Sequence, residues 1–414
     1  MRKCFKSFNA KVISKKVHLN FYKSTPFFES KDRKKDLIIS VYRKDNPKFE
    51  FGNDYMEFFN GLNYKKADII FKGKLKASNN RKYEFVDTSV KIGMTYSYWI
   101  SSDMGHKPVG PVSVKVRDQK VWWPYSKILS MMNRISRKYP SSTELRIFGK
   151  TSKNRDIYGI VAGNKKKCIA LVGAIHAGES GPELVLPALE RILKEKPDLL
   201  KKVGLAILPS VNIEERGKMV TGYPAYIRVN PNYVDINRNF DADWKKVDYG
   251  YGLVTTDPDS VTYRGICAES ESETKAVVKL VRETKPHAVF SYHALACITG
   301  ARFLASNSKK NKSFERKCRL LAAAYTGSMY PEEKTKVQLE YYSISGSFDH
   351  YMHLKYNTPC FDLEFDGREE GKASLTDKTS LKLLKKYQRY HYGGIIAVLE
   401  EIKGWHKHKK VKYQ

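Results

Sequence analysis

An α/β domain preceded by an all-β domain is the architecture that this sequence of 414 residues predicts. Three observations carry that reading. Cys168 to Ile175 is almost wholly apolar and runs through a Gly-containing turn into a stretch of helical period. A further apolar run, His287 to Tyr292, and the segment Cys360 to Phe365, which carries two acidic residues, have strand length and sit beyond predicted helices. The first 116 residues instead carry short β-prone segments separated by Gly, Asn, Asp and Lys. The chain is too long for one ordinary core, so one large α/β domain and one smaller domain are expected.

In chain order, Val17 to Phe21, Leu37 to Tyr42, Ala67 to Phe71 and Lys82 to Phe85 are candidate strands. Thr95 to Ile100 combines alternation with high β propensity, and Val112 to Val116 follows after a turn. Arg117 to Lys120 reads as a linker. Pro124 and Ser126 precede a helix carrying Ile128, Leu129, Met132 and Ile135. Leu145 to Phe148 and Asp156 to Val161 read as a strand pair, and Val203 to Pro209 as a further strand. Between Asn212 and Asn239 the spacing predicts a long polar loop, and loops of that length in a compact domain usually serve function. Glu269, Ser270, Glu271 and Glu273 open a helix that runs towards Arg282. Phe314 to Tyr325, Thr379 to Tyr390 and Ile395 to Ile402 are further helical stretches. Residues 403–414 form a basic tail.

The formal charge of +31 favours anionic partners, and no zinc finger, helix-turn-helix or RNA-binding aromatic signature points to a specific nucleic acid. Six cysteines lie scattered at 4, 168, 267, 297, 318 and 360 with no Cys-x-x-Cys pair. Cys168 and Cys360 fall in predicted strands as small core residues. No run approaches a membrane span, and Met1 to Lys16 lacks the apolar core of a signal peptide. A cytoplasmic location is therefore expected, with a cell-wall or extracellular one as the alternative.

His176 and Glu179 occupy the turn after the central strand, where open α/β sheets place their ligands. Both side chains can bind one metal ion from a single loop. Ser180 is placed to cap the helix that follows, in which Leu184, Val185, Ala188, Leu189, Ile192 and Leu193 recur at helical spacing. A lone His-x-x-Glu is weak without a third ligand. On the last apolar strand, Asp362 and Glu364 share one face by period two. Charges there are expensive unless paired or turned to a site.

The motifs together resemble the zinc carboxypeptidases of the pancreatic carboxypeptidase A type, the M14-like metallopeptidases. The matching pieces are His-Ala-Gly-Glu at 176–179, Asp-Ile-Asn-Arg-Asn-Phe at 235–240 and Ser-Tyr-His at 291–293. Tyr-Tyr-Ser-Ile-Ser-Gly-Ser-Phe-Asp at 341–349 and Phe-Asp-Leu-Glu-Phe at 361–365 continue the pattern in the family's order. The resemblance covers residues 120 to 402 and implies a mixed, mostly parallel sheet flanked by helices over 121–402. The segment 93–116 resembles the end of a fibronectin type III domain, which implies a β-sandwich over 1–116. Its expected role is a spacer or a wall over the cleft, with a carbohydrate- or protein-binding module as the alternative.

What the resemblance implies for the site is specific. His176, Glu179 and His293 would bind one zinc ion per chain and leave a position open for water. Asp235 would orient the first histidine, a loop cap being its alternative role. Glu364 would act as general base, with Asp362 as its rival by composition. Arg228 would stabilise the oxyanion, and Arg238 with Asn237 would bind a free C-terminal carboxylate. Tyr341, or its neighbour Tyr342, would close over the terminal residue, and Phe348 would set side-chain preference. Gly178 departs from the pancreatic motif, which has arginine there. The function implied is a metallocarboxypeptidase acting on a peptide with a free C-terminal carboxylate, including cell-wall peptides and acidic tails. The alternatives are an amidase or endopeptidase on γ-glutamyl or diamino-acid peptides, and a catalytically inactive peptide- or polyanion-binding module.

Overall fold

The computed structural model describes residues 5–23, 37–45, 63–75, 82–103, 107–179, 181–223, 227–247, 255–293, 301–306, 311–329, 338–365 and 381–405. The chain divides into two compact units. One is built on Met1–Gln119 with Lys218–Tyr226, the other on Lys120–Gly217, Ile227–Ser374 and Thr379–Gln414. Among the described residues, no helix is long and apolar enough to cross a membrane.

In the first unit, β1 (Phe5–Ile13), β2 (Lys16–Lys23) and β5 (Lys82–Asp87) form a three-stranded sheet in the order β1-β2-β5. A four-stranded sheet has the order β4-β3-β6-β7, from β3 (Leu37–Asp45), β4 (Asp68–Leu75), β6 (Thr95–Ser102) and β7 (Val109–Lys115). Every ladder in both sheets is antiparallel. Alternation explains the burial: Val17, Leu19 and Phe21 face inward from β2, and Val41, Tyr98 and Ile100 face them from the other sheet in one core. β1 falls in a stretch that the sequence reading left without a strand. Only Phe5, Ala10 and Val12 of its residues are buried core, and lysines interrupt them.

A buried ionic knot ties these strands together. The Asp87 carboxylate accepts from Arg43 and from the Tyr98 hydroxyl, each at 2.9 Å, and from Ser89 N at 2.9 Å. Burial alone would raise its pKa. The hydrogen bonds from Arg43, Ser89 and Tyr98 outweigh that and hold the carboxyl below its ordinary range.

The second unit is built on an eight-stranded sheet in the order β14-β13-β15-β12-β10-β11-β9-β8. Its strands are β8 (Thr143–Lys150), β9 (Asp156–Ala162), β10 (Cys168–Gly173), β11 (Gly204–Leu208), β12 (Val289–Tyr292), β13 (Ala301–Ala305), β14 (Gln338–Tyr341) and β15 (Cys360–Phe365). The four central strands, β15-β12-β10-β11, run parallel. The pairs at β9, β8 and β13–β15 are antiparallel, so the sheet is mixed. β10, β11 and β12 are buried along their whole length, which is why they are apolar runs rather than alternating ones.

Helices α1 (Tyr125–Lys138), α2 (Pro182–Glu195), α3 (Pro197–Lys202), α4 (Ile213–Thr221), α5 (Ser272–Thr284), α6 (Lys312–Met329), α7 (Phe348–Tyr356) and α8 (Leu381–Lys403) complete the chain. α2 buries Leu184, Val185, Ala188, Leu189, Ile192 and Leu193, the stripe read from the sequence. Its first turn begins at Pro182 with Gly181 in the capping position, while Ser180 lies outside the described residues. Gly181 has φ 153°, and a Cβ there would stand 2.6 Å from Gly173 Cα. This close approach is what lets α2 start directly against the end of β10. α4 occupies the beginning of the segment read as one long loop, and α8 is one continuous helix where two helical stretches were expected.

Candidate metal centre

β10 runs forward to β11 on one side, and the next strand of the parallel set, β12, lies on its other side. The strand order therefore reverses between β10 and β12, the kind of position beyond whose carboxyl ends open α/β sheets place their ligands. In register, Gly173 stands beside Tyr292, and Ser291 beside Asp362 of β15. Side chains just past these positions converge.

The chain leaves β10 through Ala174, whose φ of 48° is unusual for a residue with a Cβ. Its carbonyl accepts from Asn212 N at 3.0 Å, which holds the strained exit. Residues 176–179 then form a turn closed by Glu179 N donating to His176 O at 3.1 Å. The ligand candidates are thus the first and last residues of one turn. His176 Nδ1 meets Glu179 Oε1 at 2.9 Å, and His293 Nδ1 meets Glu179 Oε2 at 3.0 Å. One donor atom from each of His176, Glu179 and His293 lies within 4.8 Å of the others, and all three residues are buried.

The outer ring nitrogens are held as well. His176 Nε2 meets Asp235 Oδ1 at 3.0 Å. His293 Nε2 meets Ser291 Oγ at 2.8 Å, with Asp362 Oδ1 at 3.4 Å. Both imidazoles therefore aim Nδ1 inward and are fixed from behind at Nε2, the arrangement that suits a pair of histidine ligands. Two histidines and one carboxylate from a turn and a strand end fit zinc with a coordination position left open.

Asp235 does two jobs at once. Its Oδ1 caps the 3-10 turn Ile236–Arg238 by accepting from Asn237 N at 2.9 Å, and the same oxygen faces His176. Its Oδ2 accepts from Arg228 Nε at 2.8 Å. Burial would raise this carboxyl, but Arg228, His176 and Arg238 together press it well below the carboxylate range. Glu179 is likewise pressed down: burial opposes, and the two histidines prevail. Asn237 spends its amide on structure, donating to Asp362 Oδ2 and accepting from Phe348 N, each at 2.9 Å. Arg238 is buried, with Nη1 donating to Asn237 O at 2.7 Å. Asp349 stands near Asp362, and burial with that second carboxylate pushes its pKa up to about 8.

The structure thus gathers His176, Glu179, His293, Asp235, Arg228, Asn237 and Arg238. Tyr341 and Phe348 are placed differently. The Tyr341 hydroxyl donates to Glu315 O at 3.3 Å, and the Phe348 ring is fully buried and stacked on Phe240 at 4.9 Å. Neither side chain joins the cluster around the histidines. Tyr342, the neighbouring register, is 44% exposed. Residue 364 is in β15, and its side chain lies outside the described structure.

The family model for zinc carboxypeptidases, peptidase M14, matches residues 128–386. The chain belongs to the zinc carboxypeptidase family. Among named relatives, human carboxypeptidase O is 26% identical over 197 residues, 43% of this chain and 51% of that protein. Human mast cell carboxypeptidase A is 29% identical over 175 residues, 38% of this chain and 41% of its own length. Murein peptide amidase A of Escherichia coli K12 is 39% identical over 80 residues, 18% of this chain and 33% of the relative. The chain spans about half the length, or less, of these relatives. The fold is shared with carboxypeptidase A of Helicoverpa armigera, with TM-score 0.55 and 13% identity over 90% of this chain and 98% of that one. It is also shared with bovine thrombin-activatable fibrinolysis inhibitor, with TM-score 0.54 and 18% identity over 68% and 97%. In this member of the zinc carboxypeptidase family, His176, Glu179 and His293 lie together just beyond the carboxyl ends of central strands.

Two residues to which the sequence reading assigned no role complete the centre. Ser291 sits behind His293, and Arg216 sits behind the 176–179 turn. Ser291 was legible as part of Ser-Tyr-His. Nothing in the local sequence marks Arg216.

Proposed function

We propose that this protein is a zinc-dependent peptide hydrolase that removes the C-terminal residue of a peptide. The observation that carries the reading is the buried trio His176, Glu179 and His293, with both Nδ1 atoms turned inward, in a chain of the zinc carboxypeptidase family. His176, Glu179 and His293 would hold the zinc, which would supply Lewis-acid activation of water and of the scissile carbonyl at neutral pH. Glu364 takes the proton from the attacking water and returns it to the leaving amine. Arg228, next to the centre on Asp235, faces the charge that develops on the carbonyl oxygen. Arg238 forks onto the terminal carboxylate, positioned by the 3-10 turn that Asp235 caps. Tyr341 would have to leave Glu315 to reach substrate, and Phe348 would shape the site from a fully buried position.

A second reading has one specific support, the identity to murein peptide amidase A. On it the same centre cleaves a cell-wall-type peptide carrying γ-glutamyl or diamino-acid linkages. The fibronectin type III-like reading of the first unit rests on its three-plus-four strand order and on the Tyr96 hydroxyl, which accepts from Lys91 N at 2.8 Å.

The test is hydrolysis of matched peptides by the zinc-loaded chain. The panel is one peptide with a free C-terminal carboxylate, its C-terminal amide, and one γ-glutamyl-diamino-acid peptide. Preference for the free carboxylate that Arg238→Ala abolishes supports the exopeptidase. Glu364→Gln should keep zinc and lose turnover by about two orders of magnitude or more. Cleavage confined to the γ-glutamyl peptide supports the second reading. Stoichiometric zinc with no cleavage of any of the three points to a binding module.

A further inference from the structure

Arg216 is a fully buried arginine, with 0% of its side chain exposed. It projects from α4 into the space behind the 176–179 turn. A guanidinium carries five N–H donors in a rigid fork, and burying it is costly unless they are used. Four are. Nη1 donates to Ala177 O at 3.0 Å and to Glu179 O at 2.5 Å. Nη2 donates to Glu183 Oε1, and Nε donates to Trp123 O at 3.3 Å. The Trp122 ring lies 5.4 Å from the guanidinium carbon.

Three of the four acceptors belong to the metal turn or to the helix that leaves it. Ala177 and Glu179 supply two carbonyls of the turn itself, and Glu179 is one of the three ligand candidates. Glu183 lies in the first turn of α2, which leaves the metal turn, and its Oε1 also accepts from Trp123 N at 2.8 Å. One cation therefore clamps the carbonyl of a ligand residue, the helix that follows it and the 122–123 segment. The turn is also closed by its own Glu179 N to His176 O bond of 3.1 Å. Fixing the peptide planes that follow Ala177 and Glu179 constrains the direction in which the Glu179 side chain leaves the backbone.

We propose that Arg216, with Glu183 as its counter-charge, is a positioning residue that holds the metal turn in its ligating geometry. The proposal rests on the zinc-centre reading above. It assigns to a buried ion pair the work of preorganising Glu179, without contact to substrate or metal. Lysine cannot replace it, because an ammonium has no planar fork for two carbonyls and a carboxylate at once.

Two variants of the full chain test this. Arg216→Lys keeps a charge opposite Glu183 and loses the fork. The double variant Arg216→Met with Glu183→Gln removes both buried charges together, which avoids an unpaired ion and leaves an acceptor for Trp123 N. The zinc Kd is measured by competition with a chromogenic chelator. The cobalt(II)-loaded proteins are compared by visible absorption, which reports ligand geometry, and folding is checked by far-UV circular dichroism. The expected result is zinc affinity weakened by about 10- to 100-fold in both folded variants, with altered cobalt bands. A purely structural ion pair would instead be rescued by lysine, with zinc affinity and cobalt spectrum unchanged. That outcome overturns the proposal, as does an unchanged Kd in the double variant should Arg216→Lys fail to fold. A wild-type chain that binds no zinc at one site would overturn the metal reading first, and this inference with it.

Discussion

Replacing Asp235 by asparagine keeps the shape of the side chain and removes its charge. In the native site, Oδ1 faces His176 Nε2 at 3.0 Å and accepts from Asn237 N at 2.9 Å. Oδ2 accepts from Arg228 Nε at 2.8 Å. With Nδ1 kept free for metal, His176 presents N–H at Nε2, so all three neighbours are donors. An amide offers one acceptor oxygen. With that oxygen towards His176, its NH2 group meets the Arg228 N–H donor to donor. Flipped, the NH2 meets His176 and Asn237 instead. Either way, a hydrogen bond involving a charged group is lost at a cost of about 1.5–3 kcal/mol. At about 1.4 kcal/mol per decade, zinc binding weakens by roughly 10- to 150-fold if the loss falls on the orientation of His176. Competition with a chelator at pH 7 reads this directly. A wild-type zinc Kd in folded Asp235→Asn would refute the reasoning and reduce Asp235 to a loop cap.

Two further outcomes follow. His391 of α8 is fully buried, its Nδ1 is 2.7 Å from the Tyr325 hydroxyl, and burial lowers its pKa from 6.5 to about 3. The unfolded chain therefore takes up the proton first as pH falls, and stability is lost below about pH 6.5, by roughly 2 kcal/mol at pH 5. Urea unfolding at pH 7 and pH 5 should show that loss in the wild type and a smaller one in His391→Phe; equal losses would refute it. Gly346 has φ 74°, and a Cβ there would stand 2.0 Å from Arg238 O. Gly346→Ala should lower Tm and blunt the preference for a free carboxylate, because Arg238 must move; an unchanged preference would show that Arg238 is held by other contacts.

The core of the second unit was legible because burial on both faces leaves a plain trace. β10, β11 and β12 are short, mainly apolar runs, and the α2 stripe has helical period. Elements with weaker traces escaped. α4 opens with Glu214, Glu215 and Arg216, so its polar beginning reads as loop. α7 contains Asp349 and His350, both buried, which breaks the apolar stripe by which helices are found. β13 and β14 lie at one end of the sheet, are four or five residues long, and carry little signal of their own.

The site divides along the same line. The ligand candidates could be read because they sit at strand ends in recognisable strings, His-Ala-Gly-Glu and Ser-Tyr-His. Asp235 was readable through Asp-Ile-Asn-Arg, and its two candidate roles prove compatible, since one oxygen serves both the 3-10 turn and His176. Arg216 was not readable, for a physical reason. Among 75 lysines and arginines, charge alone carries no information about position. Its partners lie at 123, 177, 179 and 183, so the pattern exists only after the chain has folded. A buried cation is informative because it is expensive: the fold keeps it only where several acceptors converge. Here they converge behind the turn that holds Glu179. The residues proposed to hold the metal are thus visible in sequence, while the residue proposed to aim one of them becomes visible only through its burial.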